Sequence, residues 1–161
     1  MSYTSVYELY STKVKRISEL QNAHGSGPAI WNYISNKLTG KDFDFFNADE
    51  FWSLWKDIRL DDNERAVLLS TYDRSYIEID KLSVFSDACN EVSDLIITHT
   101  NWTWNHFADI GIVSRKLSDK HDYRCKGLCI GCTSVSDEWE FNDIESMSVW
   151  AVYEQIQSLK Q

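Results

Sequence analysis

Chain breakers are scarce: one proline, Pro28, and six glycines interrupt 161 residues. That leaves no room for long flexible linkers. Between the breakers, apolar residues recur at near-helical spacing. Val6, Leu9, Val14, Ile17 and Leu20 predict a first helix, with Lys13, Lys15, Arg16 and Glu19 among them. It should end near His24-Gly25-Ser26-Gly27. Pro28 suits the first turn of a second helix, with Ile30, Trp31, Ile34 and Leu38 inward and Gly40 at its stop. Asn47, with Glu50 three residues on, resembles a capping box for an aromatic helix carrying Phe51, Trp52, Leu54, Trp55 and Ile58.

Asp61-Asp62-Asn63 can cap a short helix over 64–71. Longer helices are expected over 80–99 and 102–117, the second weakened by Gly111 by about 1 kcal/mol relative to alanine. A last helix begins at Asn142. Residues 76–79 alternate and read as a short strand or a linker. Residues 118–136 have no clear period, and Trp139 and Phe141 suggest a short extended piece. The expected fold is mostly α: a helical bundle with a small irregular or β element near residues 118–141. A chain this size should fold to roughly 8,300 Å² of surface from roughly 27,000 Å² extended. That suits residues 1–161 as a single globular domain. The 43% of hydrophobic residues argues against disorder.

Lys and Arg number 16 against 25 Asp and Glu, a net charge of −9. Nucleic acid and anionic membrane surfaces are disfavoured as partners, because both need clustered cations. A basic protein is the partner this charge favours. No run of 18 apolar residues exists, so no transmembrane helix is expected. The polar N-terminus lacks the apolar core of a secretory signal, and three cysteines within eight residues suit reduced thiols better than a disulfide framework, so a cytoplasmic location is expected.

Three of the four cysteines crowd together in His121-x3-Cys125-x3-Cys129-x2-Cys132. Thiolates plus one imidazole are the donors of tetrahedral zinc, and Cys129-x2-Cys132 has the knuckle spacing of structural sites. Against this, all four ligands fall within twelve residues, where structural sites usually join separated segments. The competing reading is a small apolar strand of Leu128, Cys129, Ile130 and Cys132 with its thiols buried as hydrophobes. No cofactor other than zinc is suggested. His106 and Asp109 are spaced for a carboxylate to orient an imidazole, but no catalytic signature surrounds them. Arg115, Lys116, Lys120, Arg124 and Lys126 form the one basic stretch.

Acids cluster in two places. Residues 41–64 hold Asp42, Asp44, Asp49, Glu50, Asp57, Asp61, Asp62 and Glu64 against Lys41, Lys56 and Arg59. Residues 137–145 hold Asp137, Glu138, Glu140, Asp143 and Glu145 with no base. Trp52, Trp55, Trp139 and Phe141 are interleaved with them. Acidic rims around aromatic anchors suit a protein interface. The bland alternative puts the aromatics in the core and the acids on a solvated face.

In size, acidity and aromatic content the whole chain resembles the small immunity proteins of bacterial toxin systems. That likeness is compositional, without a diagnostic motif. It implies a non-catalytic inhibitor that binds a cognate, basic, nuclease-type toxin and blocks its active site or substrate access. The expected contacts are Asp49, Glu50, Trp52, Trp55, Asp61, Asp62, Asp137, Glu138 and Glu140, mimicking phosphate and supplying hot spots. The alternative is a small zinc- or thiol-dependent protein centred on His121, Cys125, Cys129 and Cys132. Composition leaves the oligomeric state open.

Overall fold

The computed structural model describes residues 3–21, 27–72, 74–132, 148–152 and 154. It corrects the expectation of a mostly helical bundle. Four strands, β1 (Tyr3–Tyr10), β2 (Val14–Gln21), β3 (Arg74–Glu78) and β4 (Cys125–Cys132), form an antiparallel sheet in the order β2-β1-β4-β3. Among the described residues, four helices of nine or more residues accompany it: α1 (Gly27–Thr39), α2 (Asp62–Ser70), α3 (Leu82–His99) and α4 (Phe107–Lys120). None of the described helices is long and apolar enough to cross a membrane.

The largest departure is at the N-terminus, where the expected first helix is the β1–β2 hairpin. The segment is rich in Tyr, Thr, Val and Ile, which suit a pleated sheet. The chain reverses through Ser11 and Thr12, closed by the Tyr10 amide donating to the Lys13 carbonyl at 2.9 Å. A bulge in β2 explains the misleading period. Val6 pairs with Ser18 and Tyr7 with Arg16, so Ile17 is the extra residue. Ile17 and Leu20 therefore reach the same core while three apart, imitating a helix. The bulge, with Lys15 and Arg16, also blunts an edge strand that would otherwise invite pairing.

The strand element expected near 118–141 is β4, and it is central rather than peripheral. Val6, Ile77, Leu128 and Ile130 face the main core, which all four helices line. Tyr7, Leu9, Tyr76 and Cys129 form a second buried cluster, joined by Val14. By strand alternation the two sets lie on opposite faces of the sheet. Gly127 keeps β3 and β4 together. Its φ is +145°, and an added Cβ would lie 2.0 Å from the Ile77 carbonyl oxygen.

Helices α1, α2 and α3 follow their sequence signals closely. Gly40 ends α1 at φ +74°. Asp61 caps α2 in a reciprocal capping box with Glu64. Helix α4 starts later than expected, at Phe107. Gly111 brings it against α3, where the Ser86 hydroxyl donates to the Gly111 carbonyl at 2.7 Å. Near the C-terminus Ser148 bridges in parallel to Tyr76, Val149 joins the main core, and residues 149–152 are helical. The expected start of that helix, Asn142, and the extended piece at Trp139 and Phe141 lie outside the described residues.

Candidate functional site

The acidic segment between α1 and α2 is not the continuous aromatic helix its pattern suggests. It is two 3-10 turns, Phe45–Asn47 and Phe51–Lys56, joined by an irregular chain. The first turn is made by Asp44, not by the expected Asn47–Glu50 box. One Asp44 oxygen accepts from the Phe46 amide at 3.0 Å and the other from Asn47 Nδ2 at 2.7 Å. The turn so fixed projects two phenyl rings outward. Phe45 is 72% exposed and Phe46 94%, while Ile58, further along, is 78% exposed. Such rings gain about 1.5–3 kcal/mol when fully buried, a gain the isolated chain leaves unrealised.

The neighbouring aromatics point the other way. The Phe43 ring lies 4.7 Å from Phe51 and 5.3 Å from Trp31. Trp52 stands edge-on to Trp31 at 5.2 Å and to Tyr72 at 5.4 Å. Trp31 Nε1 donates to the Thr71 hydroxyl at 2.9 Å. This cluster ties the segment to α1 and to the end of α2.

Arg65 of α2 is the second tie. It is only 1% exposed, and its guanidinium donates to the Trp55, Asp57 and Leu60 carbonyls at 2.7, 2.8 and 3.3 Å. Those carbonyls are the open backbone of an irregular chain, so Arg65 supplies what helix or sheet would otherwise supply. Asp57 in turn binds Arg59 at 2.7 Å, and that ion pair holds the Asp57 carboxyl down at about 2. Arg59 also donates to the Leu38 carbonyl at 3.2 Å.

At the start of α2, Glu64 is fully buried yet charged. Burial pushes its carboxyl up, but donors from Lys37 at 2.5 Å, the Asp61 capping contact and the Tyr33 hydroxyl at 2.7 Å outweigh that and hold it below the usual range. It fixes α2 against α1 and offers no free ligand atom.

The expected contact residues therefore divide. Asp49 and Glu50 are exposed between the two turns, and Asp61 and Asp62 are exposed at the start of α2. Trp52 and Trp55 are half-buried supports packed against the core. Asp137, Glu138 and Glu140 lie outside the described residues. Sequence reasoning missed Phe45, Phe46 and Ile58. The usable signal was Asp44 with Asn47 three residues on, a turn-forming pair that leaves the two phenylalanines at its tip.

The His/Cys motif is not gathered. His121 is the exposed, left-handed cap of α4 at φ 50°. Cys125 and Cys129 are buried in the two different clusters, on opposite faces of β4. Cys132 ends the strand, roughly 20 Å from its start at about 3.3 Å per residue. A single zinc needs its sulfurs at about 2.3 Å. Among the described residues no group of three or more His, Cys, Asp and Glu side chains is placed to hold a metal. Burial raises both thiols, Cys129 to about 12.

His106 is buried, its Nε2 donating to the Gln21 carbonyl at 3.2 Å rather than meeting Asp109. In the basic stretch, Arg115 pairs with Asp87 at 2.6 Å, Lys120 with Glu8 at 3.6 Å and Arg124 with Asp122 at 3.1 Å. Compared with known proteins, the chain matches no protein-family model, no curated protein and no solved structure.

Proposed function

We propose that this chain is a non-catalytic, immunity-type inhibitor that neutralises a basic, nuclease-type toxin by binding it through residues 41–62. The observation that carries the reading is the exposure of Phe45, Phe46 and Ile58 on an acidic segment. Exposed rings ringed by carboxylates have the composition of an interface: aromatics supply affinity and charges steer encounter. The supports behind them matter equally. Arg65 and the Trp31–Phe43–Trp52 cluster hold the segment in place before any partner arrives, which reduces the ordering cost of association. Asp49, Glu50, Asp61 and Asp62 supply the negative charge that would stand in for phosphate.

The test starts with recovery of the tagged chain from its own cells at low and high salt, with co-expression of the product of the neighbouring gene. A stoichiometric basic partner is expected, associating faster at low salt. Phe46→Ala should then weaken binding of the purified partner by about 30-fold or more, the size of an interface hot spot. Full affinity in both Phe45→Ala and Phe46→Ala, or the absence of any basic partner, would overturn the reading.

A further inference from the structure

Beside the exposed rings, a groove of about 490 Å³ opens between the last turn of α1 and the first half of the acidic segment. Its floor is apolar, formed by Phe43, Phe51 and Leu54, and Ser35 and Thr39 of α1 form one wall. Its rim carries the carboxylates of Asp42, Asp44 and Glu50 against a single ammonium, Lys41. The geometry points to a socket for one arginine side chain of the partner: the aliphatic stem and guanidinium plane lie on the phenyl floor, and the N–H fork meets the rim. This rests on the reading of residues 41–62 as the partner-binding segment, and it names the chemical group that segment receives.

Three observations select this occupant. The volume is that of a small-ligand site, enough for a long side chain. The rim oxygens are unequally occupied. Asp44 spends both on its own turn, and Asp42 gives one to Asn36 Nδ2 at 2.8 Å. Glu50 makes no side-chain hydrogen bond or ion pair among the described residues. Glu50 and the second Asp42 oxygen are therefore the acceptors on offer. Finally, the wall is the C-terminal end of a helix, whose dipole favours a cation. The chain already seats a guanidinium there, where Arg59 donates to the Leu38 carbonyl. A planar guanidinium also stacks on aromatic faces and spans two carboxylate acceptors, which a lysine ammonium does not do.

The experiment titrates hexa-arginine, hexa-lysine and hexa-citrulline peptides into the labelled full chain at physiological salt, following backbone amide shifts. Hexa-arginine should saturate shifts at Ser35, Thr39, Phe51 and Leu54. Hexa-lysine should bind there at least about 5-fold more weakly, and hexa-citrulline should leave those amides unmoved. Glu50→Gln should weaken hexa-arginine about 10-fold, because it removes a charge that no internal contact uses. Equal affinity for hexa-lysine, shifts confined to other surfaces, or an indifferent Glu50→Gln variant would overturn the socket. The two readings fail separately. If the protein partner loses affinity with Phe46→Ala but not with Glu50→Gln, the socket falls and the binding segment stands. If hexa-arginine fills the groove while Phe46→Ala leaves partner affinity intact, the proposed inhibitor surface falls and the socket stands.

Discussion

Residues 41–61 and residues 121–132 are both short stretches crowded with chemically capable side chains, and the fold treats them oppositely. The second becomes β4, a strand with neighbours on both edges and apolar clusters on both faces. The thiols of Cys125 and Cys129 are thereby separated and shielded. The first lies outside the sheet, is pinned from below by Arg65 and an aromatic cluster, and keeps rings and carboxylates in water. Residue type marks both as candidate sites. Position in the topology decides which one can meet a partner.

The contrast breaks most sharply at Gly127. Gly127→Ala forces a Cβ into the Ile77 carbonyl and asks a side-chain residue to adopt φ +145°. A loss of about 4 kcal/mol is expected, the large-effect range for point changes. Chemical denaturation checks it, and a loss under 1 kcal/mol would mean that β4 is not the rigid centre described. Arg65→Met comes next, at about 3 kcal/mol, since it removes the guanidinium donor shared by three carbonyls of the acidic segment, of which Asp57 keeps the Leu60 amide. Amide exchange should accelerate in 51–60 and hardly at all in β4. Uniform acceleration would show that the segment has no separate support.

The same contrast explains what the sequence made visible. Helices α1, α2 and α3 were legible because a 3.6-residue period coincided with local end signals, Gly40 and Asp61 among them. The hairpin was hidden twice over: its Ser11-Thr12 turn lacks Gly, Asn and Asp, and the bulge at Ile17 replaces strand alternation with a three-residue step. At the candidate site the acids were legible, but the direction of each ring was not. Phe43, Phe45, Phe46, Phe51, Trp52 and Trp55 are all apolar. What sends Phe45 and Phe46 outward is a pair of hydrogen bonds to Asp44, which hydropathy does not register.

Cys129→Ser tests the buried side of the comparison at a smaller scale. The thiol is fully buried beside Tyr7, Leu9 and Tyr76. A hydroxyl placed there without a partner should cost about 2 kcal/mol. In the native chain Cys129 should resist alkylation at pH 8, because burial holds its thiol near 12 and blocks access. Rapid labelling of Cys129 in the folded protein would contradict both points.

The smallest effect belongs to the exposed side. Asp57 is held at about 2 against an ordinary 3.8, chiefly by its hydrogen bonds with Arg59. A carboxyl whose folded value is depressed contributes stability above its unfolded value and loses it as pH falls through the folded one. The Asp57–Arg59 brace should therefore act fully above pH 3.8 and fade towards pH 2. Solvent screening limits its worth to about 0.5 kcal/mol. Asp57→Asn should lower stability by that amount at neutral pH and converge with the parent chain near pH 2. A gap that stays constant with pH would mean the brace acts through shape and not charge, and the acidic segment would then owe its posture to Arg65 and its aromatic floor alone.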